Sequence, residues 1–353
     1  MGKMKMSNKM RLVYLLAMTC VITACQKTEK HTEQTEDAQK TTATVSTKQN
    51  AEQQLTAKCQ SLNLKIKALT NKFAPKKLNE LNQSLKTCIP HVALEKRYQW
   101  IQDSEQIYAN LLAKSSTEVY QYMTDTIGDR EEMTTASKKA LYAQLKPEEQ
   151  YLVDHAKALY LEKYYVGEGE YTFVQHPQYY IDLFVPDLEK ADQIYFKQLR
   201  KEYTGSNYIL DAGLAISFDE VAQRLMFWEN YLQHYPKAHY SPQVKALISS
   251  YRDDLFHGHE NTRTLWFDQD KIADHDALKA IEKLAASHSS SNQTAQKFLK
   301  LIQASEAQWQ QLPKPSQPND DYDTPEQQQI RAQRAQLQEK IQNAVDQLLK
   351  TKA

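Results

Sequence analysis

The chain has 353 residues, and its 44 Lys and Arg are matched by 44 Asp and Glu. Such a balance lacks the basic excess that nucleic-acid phosphates demand, which argues against a nucleic-acid partner. The length is ample for a sizeable core or for two domains, and beyond the N-terminus no apolar stretch approaches spanning length.

The N-terminus has the three zones of an export signal. Lys3, Lys5, Lys9 and Arg11 form a positive start with no acid among them, and Leu12 to Ile22 is an apolar run. That run falls within the ~7–15 residues of a signal core and short of the ~20 needed to span a bilayer. It ends in Ile22-Thr23-Ala24-Cys25, which resembles the lipobox of bacterial lipoproteins. The resemblance implies a lipid on the Cys25 sulfur, cleavage after Ala24 and acylation of the freed amine. Three acyl chains bury CH₂ groups at ~0.8 kcal/mol each, enough to hold the chain on a membrane. The competing readings are an ordinary signal cut after Ala24 or an uncut anchor. Gln26 stands where an Asp would favour inner-membrane retention in enteric bacteria. In a Gram-negative source the expected address is therefore the outer membrane, facing the periplasm.

Loss of residues 1–24 removes four basic and no acidic side chains, which leaves a slightly acidic body. Residues 25–50 are almost devoid of apolar side chains after Cys25 and cannot offset chain entropy by burial. They are expected to form a flexible tether reaching roughly 80 Å when extended.

The helical body is expected over 51–312. Cys20 leaves with the signal and Cys25 takes the lipid, so Cys59 and Cys88 remain as one pair in an oxidising compartment. Pro75 divides helical stretches at about 51–71 and 76–88, and an antiparallel turn near 73 places the two cysteines at similar depth. A disulfide there would contribute about 3–4 kcal/mol by restricting the unfolded chain. A metal or redox role lacks CxxC spacing.

Apolar residues then recur at helical spacing, as in Leu94, Tyr98, Ile101, Ile107, Tyr108 and Leu111. Further helices are expected over about 133–145, 147–165, 187–203, 217–235, 241–257, 274–287 and 291–312. Pro147-Glu148-Glu149 and Ser241-Pro242 supply helix-start chemistry. Between Tyr164 and Val174, two glycines and alternating aromatics predict a short hairpin or ordered loop.

A weak internal echo follows. Trp228 to Leu232, a loop at Tyr235-Pro236-Lys237-Ala238 and a helix with Val244, Leu247, Ile248 and Tyr251 are answered about 51–52 residues later. The answering elements are Ile281 to Leu284, the loop His288-Ser289-Ser290-Ser291 and a helix with Ala295, Phe298, Leu299 and Ile302. Helix, short loop and helix make the unit of an α-solenoid. The Tyr-Pro-x-Ala loop is similar to that of tetratricopeptide-like helix pairs, although no Trp-Leu-Gly-Tyr repeat is present. The Gly-Glu-Gly loop, Asp211-Ala212-Gly213-Leu214, Trp228-Glu229 and Gly258-x-x-Asn261-Thr262 resemble landmarks of an uncharacterised group of helical bacterial lipoproteins. That resemblance spans about 160–305 and implies a fold without an activity. The expected class is all-α: antiparallel helix pairs in a tetratricopeptide-like solenoid or helical array.

Residues 313–324, rich in proline and ending near paired acids, read as a linker. Over 325–353, Ile330, Leu337, Ile341, Ala344 and Leu348 form one stripe on a Gln-rich helix, with Arg334 on its seam. This stripe suits docking on the chain's own body, or else a partner or second copy.

Two clusters carry candidate chemistry. His257-Gly258-His259-Glu260 offers two imidazoles and a carboxylate for zinc, and resembles the His-x-His strand of one class of peptidoglycan endopeptidases. The upstream His-x-x-x-Asp of that class is absent, and Gly258 after a helix suits a left-handed cap with exposed imidazoles. Glu168 and Glu170, beside Tyr171 in the Gly-rich loop, offer an acid–base or binding pair; solvated surface acids are the plainer reading. No GxSxG, Walker, dinucleotide or HExxH pattern occurs, and no cofactor is called for. The sequence therefore predicts a non-enzymatic, membrane-anchored protein-binding or scaffolding lipoprotein with an envelope protein partner. The alternative is a peptidoglycan hydrolase or a regulator of one.

Overall fold

The computed structural model describes residues 42–127, 133–315 and 324–350. Contacts divide the chain into residues 1–51 and a body of residues 52–353. The expected signal, lipobox and Cys25 lie outside the described residues. The first helix begins at Thr42, so the end of the stretch expected to be a tether is helical.

Helix α1 (Thr42–Leu69) turns back into α2 (Pro75–Cys88), which starts on the proline expected to divide them. Cys59, Leu62, Ile66 and Leu69 on α1 and Leu78, Leu81, Leu85 and Cys88 on α2 are all buried. These positions recur at three and four, so each helix gives one face to the core. Cys59 and Cys88 are joined as a disulfide, with Cα atoms 5.4 Å apart. Helix α3 (Leu94–Ala113) lies across this hairpin. Its Trp100, 1% exposed, donates from Nε1 to Asn63 Oδ1 at 3.1 Å, and Asn110 donates to the Thr70 carbonyl.

Helices α4 (Thr117–Ile127), α5 (Thr135–Gln144) and α6 (Pro147–Asp154) follow. The helix expected over 147–165 ends at Asp154. Tyr160 takes a left-handed conformation at φ +53°, and the chain enters strand β1 (Leu161–Gly167), paired antiparallel with β2 (Glu170–Gln175). Tyr, Val, Phe and Thr dominate this stretch, and their cross-strand partners outweigh the helical spacing of the residues before them. The hairpin expected near 164–174 is therefore present and longer. Its tip, Glu168-Gly169, has positive φ at both residues, as tight two-residue hairpin turns require.

Helices α7 (Gln178–Leu183) and α8 (Lys190–Glu202) lead into the repeated part. A two-residue hairpin of β3 (Ile209–Leu210) and β4 (Gly213–Leu214) precedes α9 (Phe218–His234) and α10 (Ser241–Phe256). A second one, β5 (Gly258–His259) and β6 (Thr262–Arg263), precedes α11 (His275–Ala285) and α12 (Asn292–Gln311). The echo thus has a third part that no periodicity reports: each unit is a miniature hairpin plus a helix pair. Helix α9 packs on α10 and α11, and α11 packs on α12. The two hairpins also meet, with Asn261 N donating to Ala212 O at 2.9 Å and Leu214 N to Thr262 Oγ1 at 3.0 Å.

A buried carboxylate locks the units together. Glu229 on α9, 5% exposed, accepts from Ser291 N at 3.1 Å, from Ser291 Oγ at 2.5 Å and from Ser289 Oγ. All three donors belong to the α11–α12 loop. Buried charge persists only when hydrogen-bonded, so the Ser-rich loop and Glu229 require each other.

The final helix, α13 (Pro325–Lys350), docks on α12. Of the expected stripe Ile341 is buried and Ile330, Leu337, Ala344 and Leu348 are half-buried, and Val345 beside them is buried as well. Arg334 is 6% exposed; Nε donates to Pro313 O at 2.9 Å and its terminal nitrogens reach Gln269 O at 3.3 Å and Leu312 O at 3.4 Å. Its guanidinium sits 4.5 Å from the Trp309 ring centroid. Docking within the chain is the arrangement adopted, and it covers the open end of the helix-pair stack. The fold is mostly helical, as expected, with strands confined to three two-stranded pairs among the described residues. No described helix is long and apolar enough to cross a membrane.

Candidate partner-binding site

Gly258 has φ +72° at the end of α10, so the left-handed cap expected there is present. The same glycine opens β5. A Cβ on it would lie 2.2 Å from Thr262 O and 2.6 Å from Thr264 N, which only glycine avoids. The imidazoles are not free, which corrects the sequence reading. His257 Nδ1 meets Asp253 Oδ1 at 2.8 Å and its Nε2 meets Asp346 Oδ1 of α13 at 2.9 Å. A carboxylate at each nitrogen favours the protonated ring, which alone can donate to both, and the hydrogen bond to Asp253 leads in raising its pKa, with Asp346 adding to it. His259 Nε2 pairs with Asp254 Oδ1 at 2.8 Å, and burial raises the Asp254 pKa. Helix α10 reaches Asp253 and Asp254, and α13 brings Asp346; these pairings are electrostatic clasps. Among the described residues no group of three or more His, Cys, Asp or Glu is placed to hold a metal ion.

Glu168 and Glu170 are exposed on the β1–β2 hairpin. Glu170 accepts from the Tyr120 hydroxyl, whose pKa is pushed up to about 12 by burial and by that carboxylate. Tyr171 packs on Tyr165 with ring centroids 5.3 Å apart and donates its backbone N–H to Thr124 Oγ1 at 3.2 Å. These contacts fix the hairpin against α4.

A different surface stands out on the stapled hairpin. Between Glu52 and Cys88 seven lysines stand against two acids, in a chain that balances overall. Lys65 and Lys72 from the α1 side and Lys77 with Glu80 from α2 line a cleft of ≈ 260 Å³, floored by Ala68, Leu69 and Leu81. The lysines found in ion pairs among the described residues are Lys146, Lys283 and Lys314, none of them in the hairpin. Leu64, one turn before Ala68, is 73% exposed, the largest exposure of any large hydrophobic residue described. Sequence reasoning missed this site because the whole-chain charge was read without its local excess.

Deeper in, the hairpin's partner helix is tied to the repeats. Asp192 of α8, fully buried, accepts from the Tyr98 hydroxyl of α3, and burial with that carboxylate drives the phenol pKa far up. His239, in the α9–α10 loop, stacks on Tyr98 with centroids 3.8 Å apart.

Residues 42–121, less than a quarter of the chain, match the family described as Sigma-S stabilisation anti-adaptor protein. The match runs from α1 into α4 and contains the disulfide and the lysine cleft. No curated protein and no solved structure matches the chain.

Proposed function

We propose that this chain is a non-enzymatic protein-binding module held at a membrane by a lipid on Cys25, with α1–α4 as its binding part. The observation that carries the binding role is the match of residues 42–121 to an anti-adaptor family, a class named for acting on another protein. What carries over is the kind of work, not sigma-S as the partner. A helical array with its helix pairs locked by Glu229 and its end covered by α13 supplies a rigid platform for such a surface.

The lipobox supports the anchor, and an export route places the Cys59–Cys88 disulfide where thiols oxidise. In a Gram-negative cell the address is the outer membrane, facing the periplasm. Labelling cells with a fatty-acid probe tests the anchor: Cys25→Ala abolishes the label, and persistence of label refutes it. A zymogram of the purified chain against peptidoglycan tests the rest. No clearing is expected; clearing that is lost in Glu168→Gln or His259→Ala replaces the binding reading with an enzymatic one.

A further inference from the structure

We propose that the cleft between α1 and α2 receives an acidic amphipathic segment of a protein partner, with Lys65, Lys72 and Lys77 meeting its carboxylates and Leu64 with Ala68 taking its apolar face. This deepens the protein-binding reading above and rests on it. Three features of the hairpin point to that chemistry. Three lysines outnumber the one carboxylate that lines the cleft, Glu80, which forms no ion pair with them, so the net positive charge is relieved by an anionic occupant. The floor is apolar, formed by Ala68, Leu69 and Leu81, so a bare ion satisfies only part of the surface. Leu64, 73% exposed a turn away, extends that apolar strip along α1 beside Lys65 and Lys67. An apolar strip flanked by cations is the complement of a helix with Leu-type residues between Glu or Asp.

The neighbouring architecture keeps the cleft open to such a segment. Asn110 and Lys114 of α3 donate to the Thr70 and Asn71 carbonyls, which holds the turn from behind. The disulfide fixes α1 against α2 at the far end. Both sides of the cleft are therefore set before a partner arrives, and binding spends little on ordering them.

The test uses the purified full chain and a fluorescein-labelled peptide with Glu on one helical face and Leu on the other. Fluorescence anisotropy is expected to report binding that weakens with salt. The triple variant Lys65→Glu, Lys72→Glu, Lys77→Glu is expected to bind at least about tenfold more weakly, and Leu64→Ala severalfold more weakly. A control triple on exposed α8 positions, Lys190→Glu, Lys197→Glu, Lys201→Glu, keeps wild-type affinity. All of these side chains are exposed, and circular dichroism checks that the variants fold. Equal binding by the two triples, or no binding by wild type, overturns the assignment. So does co-sedimentation with phosphatidylglycerol vesicles that the cleft triple loses while peptide binding is retained, since it gives the lysines to a membrane. In intact cells, with a photoreactive amino acid at position 64, a protein adduct that survives the cleft triple also overturns it, yet leaves the binding role standing; no protein adduct at all removes both.

Discussion

Arg334→Ala is expected to release α13 from the body. The guanidinium donates to the carbonyls of Pro313, Gln269 and Leu312, at 2.9, 3.3 and 3.4 Å, and it lies over Trp309. Charge-assisted hydrogen bonds are worth roughly 1.5–3 kcal/mol each, but two of these contacts are long. The stacked ring adds about 0.5–2 kcal/mol. Counting one good bond, one weak pair and the ring gives a loss of about 3 kcal/mol. Arg334→Lys keeps the charge without the planar fork and is expected to lose most of that amount. Urea unfolding of the full chain measures the total, and hydrogen exchange of α13 amides locates it. A loss below about 0.5 kcal/mol in Arg334→Ala, or wild-type exchange in α13, refutes the claim that this side chain pins the helix.

Reduction of Cys59–Cys88, or Cys59→Ser with Cys88→Ser, is expected to lower stability by about 3.5 kcal/mol for a closed loop with a separation of 29, read by urea midpoints with and without reductant. Gly258→Ala is expected to lose about 2–4 kcal/mol, because its Cβ meets backbone at 2.2 Å, whereas Gly169→Ala, with nothing within 4 Å, loses only about 1 kcal/mol of left-handed strain; thermal unfolding of both compares them. His257 has a raised folded pKa, so its clasp on Asp346 is fully present below about pH 6.5 and fades as pH rises through that raised value. The effect is about 1 kcal/mol for this half-exposed pair, and α13 protection factors, with the intrinsic base-catalysed rate divided out at each pH, should fall as pH rises in wild type and stay flat in His257→Gln.

Much of the helical plan was legible because its punctuation is local. Ser241-Pro242 begins α10 and Gly258 ends it, and the spacing of Leu62, Ile66 and Leu69 marks the buried face of α1. What failed needed partners distant in sequence. Nothing before Tyr160 announces that a strand follows, since β1 is decided by pairing with β2. Hairpins of two-residue strands have no period to read, although Asp211-Ala212-Gly213 and Gly258-x-x-Asn261 mark their turns. Asp253 lies four residues before His257 and was readable as a helical pair; Asp346 becomes its second partner only once α13 docks. The lysine excess over 52–88 was visible, but a cleft arises only when α1 and α2 fold together and bring Lys65 and Lys77 to one side.

The central claim, a protein-binding module working through α1–α4, is tested most directly by placing a photoreactive amino acid at position 64 of the full chain in intact cells. Crosslinked species are then identified by mass spectrometry. A discrete adduct with one acidic-segment protein, absent when the label sits on the exposed face of α8 instead, is the predicted result. No protein adduct from position 64 would contradict it.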